Sequence, residues 1–482
     1  MTYKLFDINS PGDLDEIAHF LPEFYEPEFV VEQLKAGLDA RCKKILVEDC
    51  YNDKDYRSTY YNYYSKKGYR YESTCVRLHF FDDRVQLLLP GHELRFAINE
   101  LYEKPRETYL GYMVLRPTRV NTIGRTVLSS SAIKDFHGSV IEAEHKVHIL
   151  GHRLSVAGFP SMSQHSDILV CAHAACWAIL RHNSERFSRY AEFLAYEITR
   201  MAHEFDPGGL LPSTGLHVGH AERIFAVAGT YPVLVFKDEA EPGRFHRQLF
   251  AYIESAFPLF AEIERIKHAV AIIGHTGLEA AFATSAPCHF ASDQVRGLIV
   301  VDDNYLPYRA VARDRADPYG CCDFTAFIVA LPDKVYYSAE AVDNVAILLA
   351  NKEHFGFSHE PSGSPVVRYF LTTASHLRDF ANKYRSQFDP ELVSVIMHLS
   401  LPQFIWIIEI ASEEQWGNGH VATRIVVDAT ASPYEQFPVY LMHDDRQAYI
   451  CDRGGDQEHL RVTLQSPPGA PLSRMPGNLV TH

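Results

Sequence analysis

Two cysteines five residues apart stand at the start of a predicted helix, in the segment SQHSDILVCAHAACWAIL, residues 163–180. A cysteine thiol becomes a nucleophile when its pKa falls, and the positive end of a helix together with a nearby imidazole lowers it. Cys171 follows the strand-like DILV and opens an alanine-rich segment, so its sulfur would lie near unpaired backbone N–H groups. Cys176 lies more than a turn further in, where the helix dipole has little effect. The pattern favours Cys171 as the nucleophile.

Attack of a thiolate on a carbonyl also requires a base and an oxyanion donor. Gln164, seven residues before Cys171, can supply a side-chain amide for the oxyanion. His268 opens the apolar run HAVAIIGH, and a ring at the first residue of a strand can project into a cleft. Asp302 or Asp303, at the end of the run GLIVV, can accept the imidazole Nδ1–H. The sequence therefore predicts a cysteine–histidine–aspartate site in which either aspartate orients the base.

This order of residues resembles the papain-like cysteine peptidases, and most closely the branch that processes bacteriocin leaders. CAHAA, residues 171–175, stands where that branch has roughly Cys-Gly-Pro-Ala-Ala, while KHAVAIIGH and IVVDD resemble its His-Ala-Val strand and its Val-x-Asp close. The likeness covers residues 161–308. It implies a papain-like core, in which a helical half that carries the nucleophile packs on a mostly antiparallel sheet, and a thiol hydrolase activity.

The chain also departs from the pattern of that family. Ala172 and His173 replace the glycine and proline that follow the nucleophile, and the interval from Gln164 to Cys171 is one residue longer than usual. The loop over residues 276–296 lengthens the interval between the histidine and the aspartate. These departures leave the oxyanion geometry open, and the CWA motif around the second cysteine, which matches plant and lysosomal members, keeps that cysteine as an alternative nucleophile.

The elements that must position these residues come in a characteristic order, with helices first and strands later. CAHAACWAILRH and HRQLFAYIESAF have helical spacing, whereas PLFAEIE, HAVAIIGH and GLIVV are apolar runs of strand length. That order indicates an α+β fold rather than an alternating parallel one. We predict an N-terminal α+β region over residues 1–150, a papain-like core over 151–314, a C-terminal α+β region over 315–465 and a mobile tail, rich in proline and glycine, over 466–482.

A tyrosine-rich segment lies inside the N-terminal region. YNDKDYRSTYYNYYSKKGYRYE, residues 51–72, contains eight tyrosines among charged residues. Tyrosine provides large amphipathic contact area, so the segment can be a recognition surface for a substrate or partner. The reading that we favour is a helix or hairpin whose rings pack on their own sheet.

Composition limits the setting of any activity. A formal net charge of -15 disfavours a protein that binds nucleic acid or an anionic membrane through a basic face. The sequence has no signal-peptide pattern and no apolar run of about 20 residues, and its nine cysteines are irregularly spaced. We therefore expect a cytoplasmic protein with reduced thiols and no membrane partner. Without zinc-like cysteine pairs, a metalloprotease helix or a phosphate loop, we predict no metal and no cofactor.

These observations together predict a cysteine peptidase that cleaves a peptide or isopeptide bond of a protein or peptide substrate through a thioester intermediate. Two alternatives use the same site: a deamidase, if the amide belongs to a glutamine side chain, and an acyl transferase, if an amine replaces water. A third alternative is a non-catalytic interaction protein on a papain-like scaffold, which the changed CAHAA motif favours.

Overall fold

The computed structural model describes residues 3–88, 93–96, 108–164, 168–203, 216–279, 282, 286–314, 317–350, 364–451, 459–464 and 472–482. Within these ranges helices and strands are mixed, which confirms the α+β class. Among the described strand pairs one is parallel, between β14 (His289–Phe290) and β18 (Val366–Thr373). The remaining described pairs are antiparallel, as the order of elements predicts.

The N-terminal region forms a five-stranded antiparallel sheet with the order β1-β2-β3-β6-β7, in which β7 lies at one edge. Its helices are α1 (Asp15–Phe20), α2 (Pro27–Gly37) and α3 (Lys54–Asn62). Its strands are β1 (Tyr3–Asp7), β2 (Lys44–Tyr51), β3 (Cys75–Phe81), β4 (Val85–Leu88), β5 (Glu93–Phe96), β6 (Tyr109–Leu115) and β7 (Ile123–Leu128). Both faces are covered: Ile45 and Val47 pack with α1 and α2, whereas Leu46 packs in the main core on the other side.

A second antiparallel sheet lies at the centre of the molecule, with the order β11-β17-β12-β13-β15-β16. The helices of this part are α4 (Cys171–Arg186), α5 (Ala195–His203), α6 (Val218–Val227) and α7 (Pro242–Glu254). Its strands are β8 (Ser139–Val140), β9 (Ala143–Ile149), β10 (His152–Gly158), β11 (Tyr231–Phe236), β12 (Leu259–Ile263), β13 (His268–His275), β15 (Gly297–Val301), β16 (Arg309–Ala312) and β17 (Ala326–Leu331). Strands on both sides of residue 314 therefore share one sheet, while the division into domains stays a prediction.

The C-terminal part contains a third sheet, with the order β14-β18-β19-β21-β22-β23-β24. Its helices are α8 (Ala339–Ala350), α9 (Ala374–Lys383), α10 (Pro390–His398) and α11 (Glu413–Gly417). Its further strands are β19 (Phe404–Ala411), β20 (His420–Val421), β21 (Thr423–Asp428), β22 (Val439–His443), β23 (Gln447–Cys451), β24 (His459–Thr463), β25 (Leu472–Ser473) and β26 (Val480–Thr481). None of the helices in the described ranges is long and apolar enough to cross a membrane.

Helix α4 is buried almost along its whole length because it packs against β13 and β12 of the central sheet, against strand β9 and against the helices α5 and α6. Its residues from Ala172 to Asn183 are all buried. On one side it packs along β13, and on the other Trp177 Nε1 donates a hydrogen bond to Asp55 Oδ1 of α3 at 3.1 Å. This packing places the start of α4 beside the start of β13.

The tyrosine-rich segment combines both of its predicted characters. It forms α3 and a following turn, in which Tyr56, Tyr63 and Tyr64 are buried in the main core. Tyr61 and Tyr69 are exposed by contrast, and each lies under an arginine side chain. Most of the segment's described aromatic area therefore supports the core, and the two exposed rings remain as surface.

The described end of the chain differs from the predicted mobile tail. Met475 is fully buried in the core of the third sheet, and β26 adds to β8 beside the central sheet. The Asn478 side chain donates to the carbonyl oxygens of Ser255 and Leu371 at 3.2 and 2.9 Å. The prediction was wrong for residues 472–482, because proline and glycine indicate only that a segment lacks regular secondary structure. Side-chain burial and pairing of β26 with β8 hold these residues against the rest of the fold. Residues 466–471 lie outside the described residues.

Candidate active site

Helix α4 begins at Cys171, as the sequence predicts. Val170 is its N-cap residue with an extended backbone, and its carbonyl accepts the backbone N–H groups of His173 and Ala174 at 3.0 and 3.2 Å. The His173 ring in turn accepts the Val170 N–H at 3.3 Å, so this histidine caps the helix. The Cys171 side chain is half-buried at the positive end of the helix dipole.

Cys176 has a different environment, although it lies on the same helix. Its side chain is 0% exposed, and burial, with the nearby Cys171, raises the pKa of its thiol far above the ordinary value. A thiol that stays protonated and has no access to solvent is a poor nucleophile. The structure therefore favours Cys171 over Cys176.

His268 is the first residue of β13, and its ring reaches the end of the neighbouring strand β15. Its Nε2 atom lies 3.1 Å from Asp302 Oδ1. The sequence-based expectation that Nδ1 faces the aspartate is therefore wrong, because the ring is oriented with Nε2 toward β15. Since Nε2 is engaged by the carboxylate, Nδ1 is the ring nitrogen left for the thiol.

The Cys171 thiol and Asp302 both interact with the His268 ring. Burial disfavours the charged ring, but hydrogen bonding and charge from Asp302 and Cys171 outweigh it and raise the pKa of His268 to about 10. At neutral pH the ring is therefore an imidazolium. Its side chain keeps 12% of its surface exposed, so the ring has access to solvent.

Asp302 is the better placed of the two aspartates to orient the ring. Besides His268, its carboxylate accepts the backbone N–H and the side-chain amide of Asn304 at 3.1 Å each, and the Tyr319 hydroxyl at 2.7 Å. Burial raises the pKa of Asp302, but these hydrogen bonds and the His268 charge dominate and lower it below its usual value. Asp302 is thus a fixed, ionised partner for the imidazolium.

Asp303 lies near the same ring without a direct hydrogen bond to it. Its Oδ1 atom is 3.8 Å from His268 Nε2, and neither carboxylate oxygen has a hydrogen-bond partner among the described residues. Burial raises the pKa of Asp303 to about 6, against the opposing influence of His268 and nearby backbone N–H groups. Asp303 therefore adds negative charge to the site above about pH 6 but does not orient the ring.

Gln164, which precedes α4 in the chain, lies next to Asp303. Its backbone N–H is among the groups that lower the pKa of Asp303, so the glutamine lies next to the carboxyl at the end of β15. The residue is half-buried. All five residues predicted from the sequence therefore come from distant parts of the chain to one place, where α4 begins, β13 begins and β15 ends.

The same place could hold a cation, since ligand atoms of His268, Asp302 and Asp303 lie within 4.8 Å of one another. A neutral imidazole is the form that binds a metal. Here, however, Nε2 already points at Asp302, and Asp302 is satisfied by Asn304 and Tyr319. The hydrogen bonds are those of an imidazolium–carboxylate pair, which a bound cation would have to replace.

Sequence reasoning missed three residues that hold Asp302. Tyr319 and Asn304 donate to it, and Arg309 Nη1 lies 3.5 Å from its Oδ2 atom. Asn304 is two residues away and could have been found as a short-range turn partner of the aspartate. Tyr319 and Arg309 follow in the loop and strand after β15, and nothing in their local sequence marks them.

Comparison with protein-family models, with curated proteins and with solved structures found no match for this chain. Any functional conclusion therefore depends on the residues and geometry of the site itself.

Proposed function

We propose that the protein is a papain-like thiol hydrolase, in which Cys171 attacks the carbonyl of a peptide or isopeptide bond. The observation that carries the proposal is the position of His268 between the Cys171 thiol and the buried Asp302 carboxylate. The helical half packed on an antiparallel sheet supports the papain-like resemblance. A merely structural cysteine has no need of a charged, carboxylate-held imidazole beside it.

His268 is an imidazolium at neutral pH because its pKa is raised to about 10, and in the proposed cycle it is the counter-ion of a Cys171 thiolate. The sulfur of Cys171 forms a bond to the carbonyl carbon, and the electron pair of the C=O bond moves to the oxygen. The Cys171 backbone N–H and the Gln164 side-chain amide stabilise this oxyanion. His268 then gives its proton to the leaving amine as the C–N bond breaks.

The resulting thioester must be released to complete a cycle. A water molecule gives a proton to the now neutral His268 and attacks the thioester carbonyl; the C–S bond breaks and the thiolate–imidazolium pair is restored. Throughout these steps Asp302 holds the ring and balances its positive charge. An amine in place of water would give an acyl transferase, and a glutamine side chain as substrate would give a deamidase.

The test begins with the reactivity of the two cysteines. We expect iodoacetamide at pH 6.5 to alkylate Cys171 in preference to Cys176, because one thiol faces an imidazolium and the other is buried and protonated. Peptide mapping after partial labelling measures both rates in one sample. Preferential labelling of Cys176, or a Cys171 rate no faster than that of an ordinary exposed thiol, would contradict the proposal.

Activity is then sought in a complex peptide mixture by mass spectrometry. New termini indicate hydrolysis, a gain of about 1 Da on glutamine indicates deamidation, and adducts of added methylamine indicate acyl transfer. Cys171→Ala should abolish whichever product is found. Cys176→Ala is the matched control on the same helix; it removes one small buried group, costs on the order of 1 kcal/mol of stability, and should keep the activity.

A further inference from the structure

The segment that ends in Gln164 is attached to the N-terminal sheet rather than to the central sheet. Ser161 forms an antiparallel bridge with Thr126 of the edge strand β7, with N···O distances of 2.9 and 2.8 Å. Two residues further on, the Ser163 N–H donates to the Ile123 carbonyl at 3.1 Å. The backbone immediately before the predicted oxyanion donor thus extends the N-terminal sheet beyond its edge.

One arginine side chain of this sheet clamps the same segment. Arg116, directly after β6, donates through Nη2 to the carbonyl oxygens of Ser163 at 3.0 Å and Gln164 at 3.5 Å. The same nitrogen donates to the Asn121 carbonyl at 2.6 Å. The guanidinium therefore joins the loop between β6 and β7 to the backbone of the glutamine.

Burial of the Arg116 guanidinium costs solvation free energy that its contacts must offset. The side chain is 2% exposed, and burial lowers the pKa of its guanidinium. Its Nε and Nη1 atoms have no hydrogen-bond partner among the described residues, and no carboxylate there forms an ion pair with it. The hydrogen bonds that it does make end on backbone carbonyls, two of them in the glutamine segment. A buried arginine with these partners acts by holding that backbone in place.

We propose that Arg116 is a positioning residue of the active site, which holds the Gln164 segment so that its amide meets the oxyanion. This inference rests on the proposed function and deepens it. The N-terminal region is then part of the catalytic apparatus, because its sheet carries the oxyanion side of the cleft while α4 and the central sheet carry Cys171 and His268.

Two electrophiles separate positioning of an oxyanion donor from other effects. p-Nitrophenyl acetate reacts through a tetrahedral oxyanion, in which the Cys171 sulfur bonds to the acetyl carbon and p-nitrophenolate leaves. Iodoacetamide reacts by displacement of iodide at a saturated carbon, so no oxyanion forms. The ratio of the two rates at Cys171 therefore reports the oxyanion donors alone.

We expect Arg116→Lys to lower the rate of acylation by p-nitrophenyl acetate about 10-fold and Arg116→Met to lower it about 100-fold, with the alkylation rate unchanged. Lysine keeps a cation that can reach one carbonyl, so it should restore part of the rate that methionine loses. Thermal unfolding identifies any variant that fails to fold, and the lysine variant decides the question if the methionine variant does so.

Arg77→Lys is the matched control, since Arg77 is also buried in the N-terminal sheet but pairs with Glu48 at 2.7 Å, away from the glutamine segment. It should leave the ratio of the two rates unchanged. An unchanged ratio in both Arg116 variants would overturn the positioning role alone. If instead the wild-type protein is acylated no faster than Cys171→Ala, the proposed function itself has failed.

Discussion

Strand β13 carries a histidine at each end, and the two histidines form nearly identical pairs with carboxylates. His268 Nε2 lies 3.1 Å from Asp302 Oδ1, and His275 Nε2 lies 3.0 Å from Glu254 Oε1. Distance alone does not distinguish them. Their surroundings do, because His268 faces the Cys171 thiol and solvent, whereas His275 faces a buried network of charges.

At the His275 end of β13, the histidine belongs to a buried network of ion pairs. Glu254 is shared with the buried guanidinium of Arg368, which also pairs with Glu409 at 3.2 Å. Burial would raise the pKa of Glu254, but Arg368 and His275 dominate and lower it to about 2. The other ring nitrogen of His275 lies 2.7 Å from the Thr276 carbonyl. Both ring nitrogens of His275 are thus engaged by protein atoms.

The comparison shows that two histidine–carboxylate pairs of almost equal length can have quite different surroundings. What marks His268 is that one ring nitrogen is held while the other remains for a thiol at the start of a helix. A histidine that exchanges protons with a thiol needs one ring nitrogen free for that thiol. A histidine with a structural role is more stable when both ring nitrogens have hydrogen-bond partners. The following experiments test whether that difference decides function.

The largest expected difference is in turnover. His268→Ala should reduce the activity found with the peptide mixture at least about 1,000-fold, because it removes the base and the counter-ion of the thiolate. His275→Gln keeps a hydrogen-bonding group beside Glu254 and should leave turnover within about threefold of wild type at 25 °C. Equal losses in the two variants, measured on folded protein, would remove the distinction between the two ends of β13.

The second difference concerns how the free energy of unfolding depends on pH. The contributions from the two ends of β13 are lost in opposite directions of pH. The folded pKa of Glu254 is depressed from 4.5 to about 2, so its stabilisation is present above about pH 4.5 and is lost as the pH falls through about 2. That loss amounts to about 3 kcal/mol. The folded pKa of His268 is raised from 6.5 to about 10, so its stabilisation is present below about pH 6.5 and is lost as the pH rises through about 10.

Denaturant unfolding at a series of pH values measures these contributions. Glu254→Gln should flatten the acid limb of the stability curve, and His268→Gln should flatten the alkaline limb. Removing Glu254 also leaves Arg368 with one fewer counter-charge, so this variant should be the less stable of the two at pH 7. An alkaline limb that His268→Gln leaves untouched would show that the ring is not charged in the folded protein.

The smallest effect is expected from Asp303, whose role beside His268 is the least defined. Its folded pKa is raised from 3.8 to about 6, so ionisation destabilises the folded state as the pH rises through about 6. Asp303→Asn should therefore gain about 2 kcal/mol of stability at pH 7 relative to pH 4, compared with wild type. Asp302→Asn is the control and should show no such gain. A stability difference that does not depend on pH would mean that Asp303 is ionised at both values.

Short-range sequence signals predicted the local elements of the site well. Alanine-rich spacing after DILV predicted that a helix begins at Cys171, and apolar runs predicted strands that begin at His268 and end before Asp302. These predictions succeed because helix starts and buried strands depend on neighbouring residues. The ring orientation of His268 could not be predicted in this way, because it depends on how β13 and β15 align across the sheet.

The choice between the two aspartates was open in the sequence for the same reason. Asp302 and Asp303 have identical side chains at adjacent positions just after β15, and only the tertiary arrangement places Asp302 at 3.1 Å and Asp303 at 3.8 Å from His268 Nε2. Tyr319 donates to Asp302 from a distant loop, and only tertiary structure brings it there. Likewise the tail prediction was based on proline and glycine, whereas burial of Met475 depends on a core that is built from remote segments.

By itself the sequence determined the inventory of chemistry: one cysteine at the start of a helix, one histidine at the start of a strand, carboxylates at a strand end and a glutamine upstream. It also determined the α+β class, since the periodicity of apolar residues sets helices and strands locally. The tertiary structure decided which ring nitrogen of His268 faces Asp302 and that His275 pairs with the buried Glu254. It alone attached Gln164 to Arg116 and the N-terminal sheet, because contacts between residues 48 positions apart depend on packing and not on spacing.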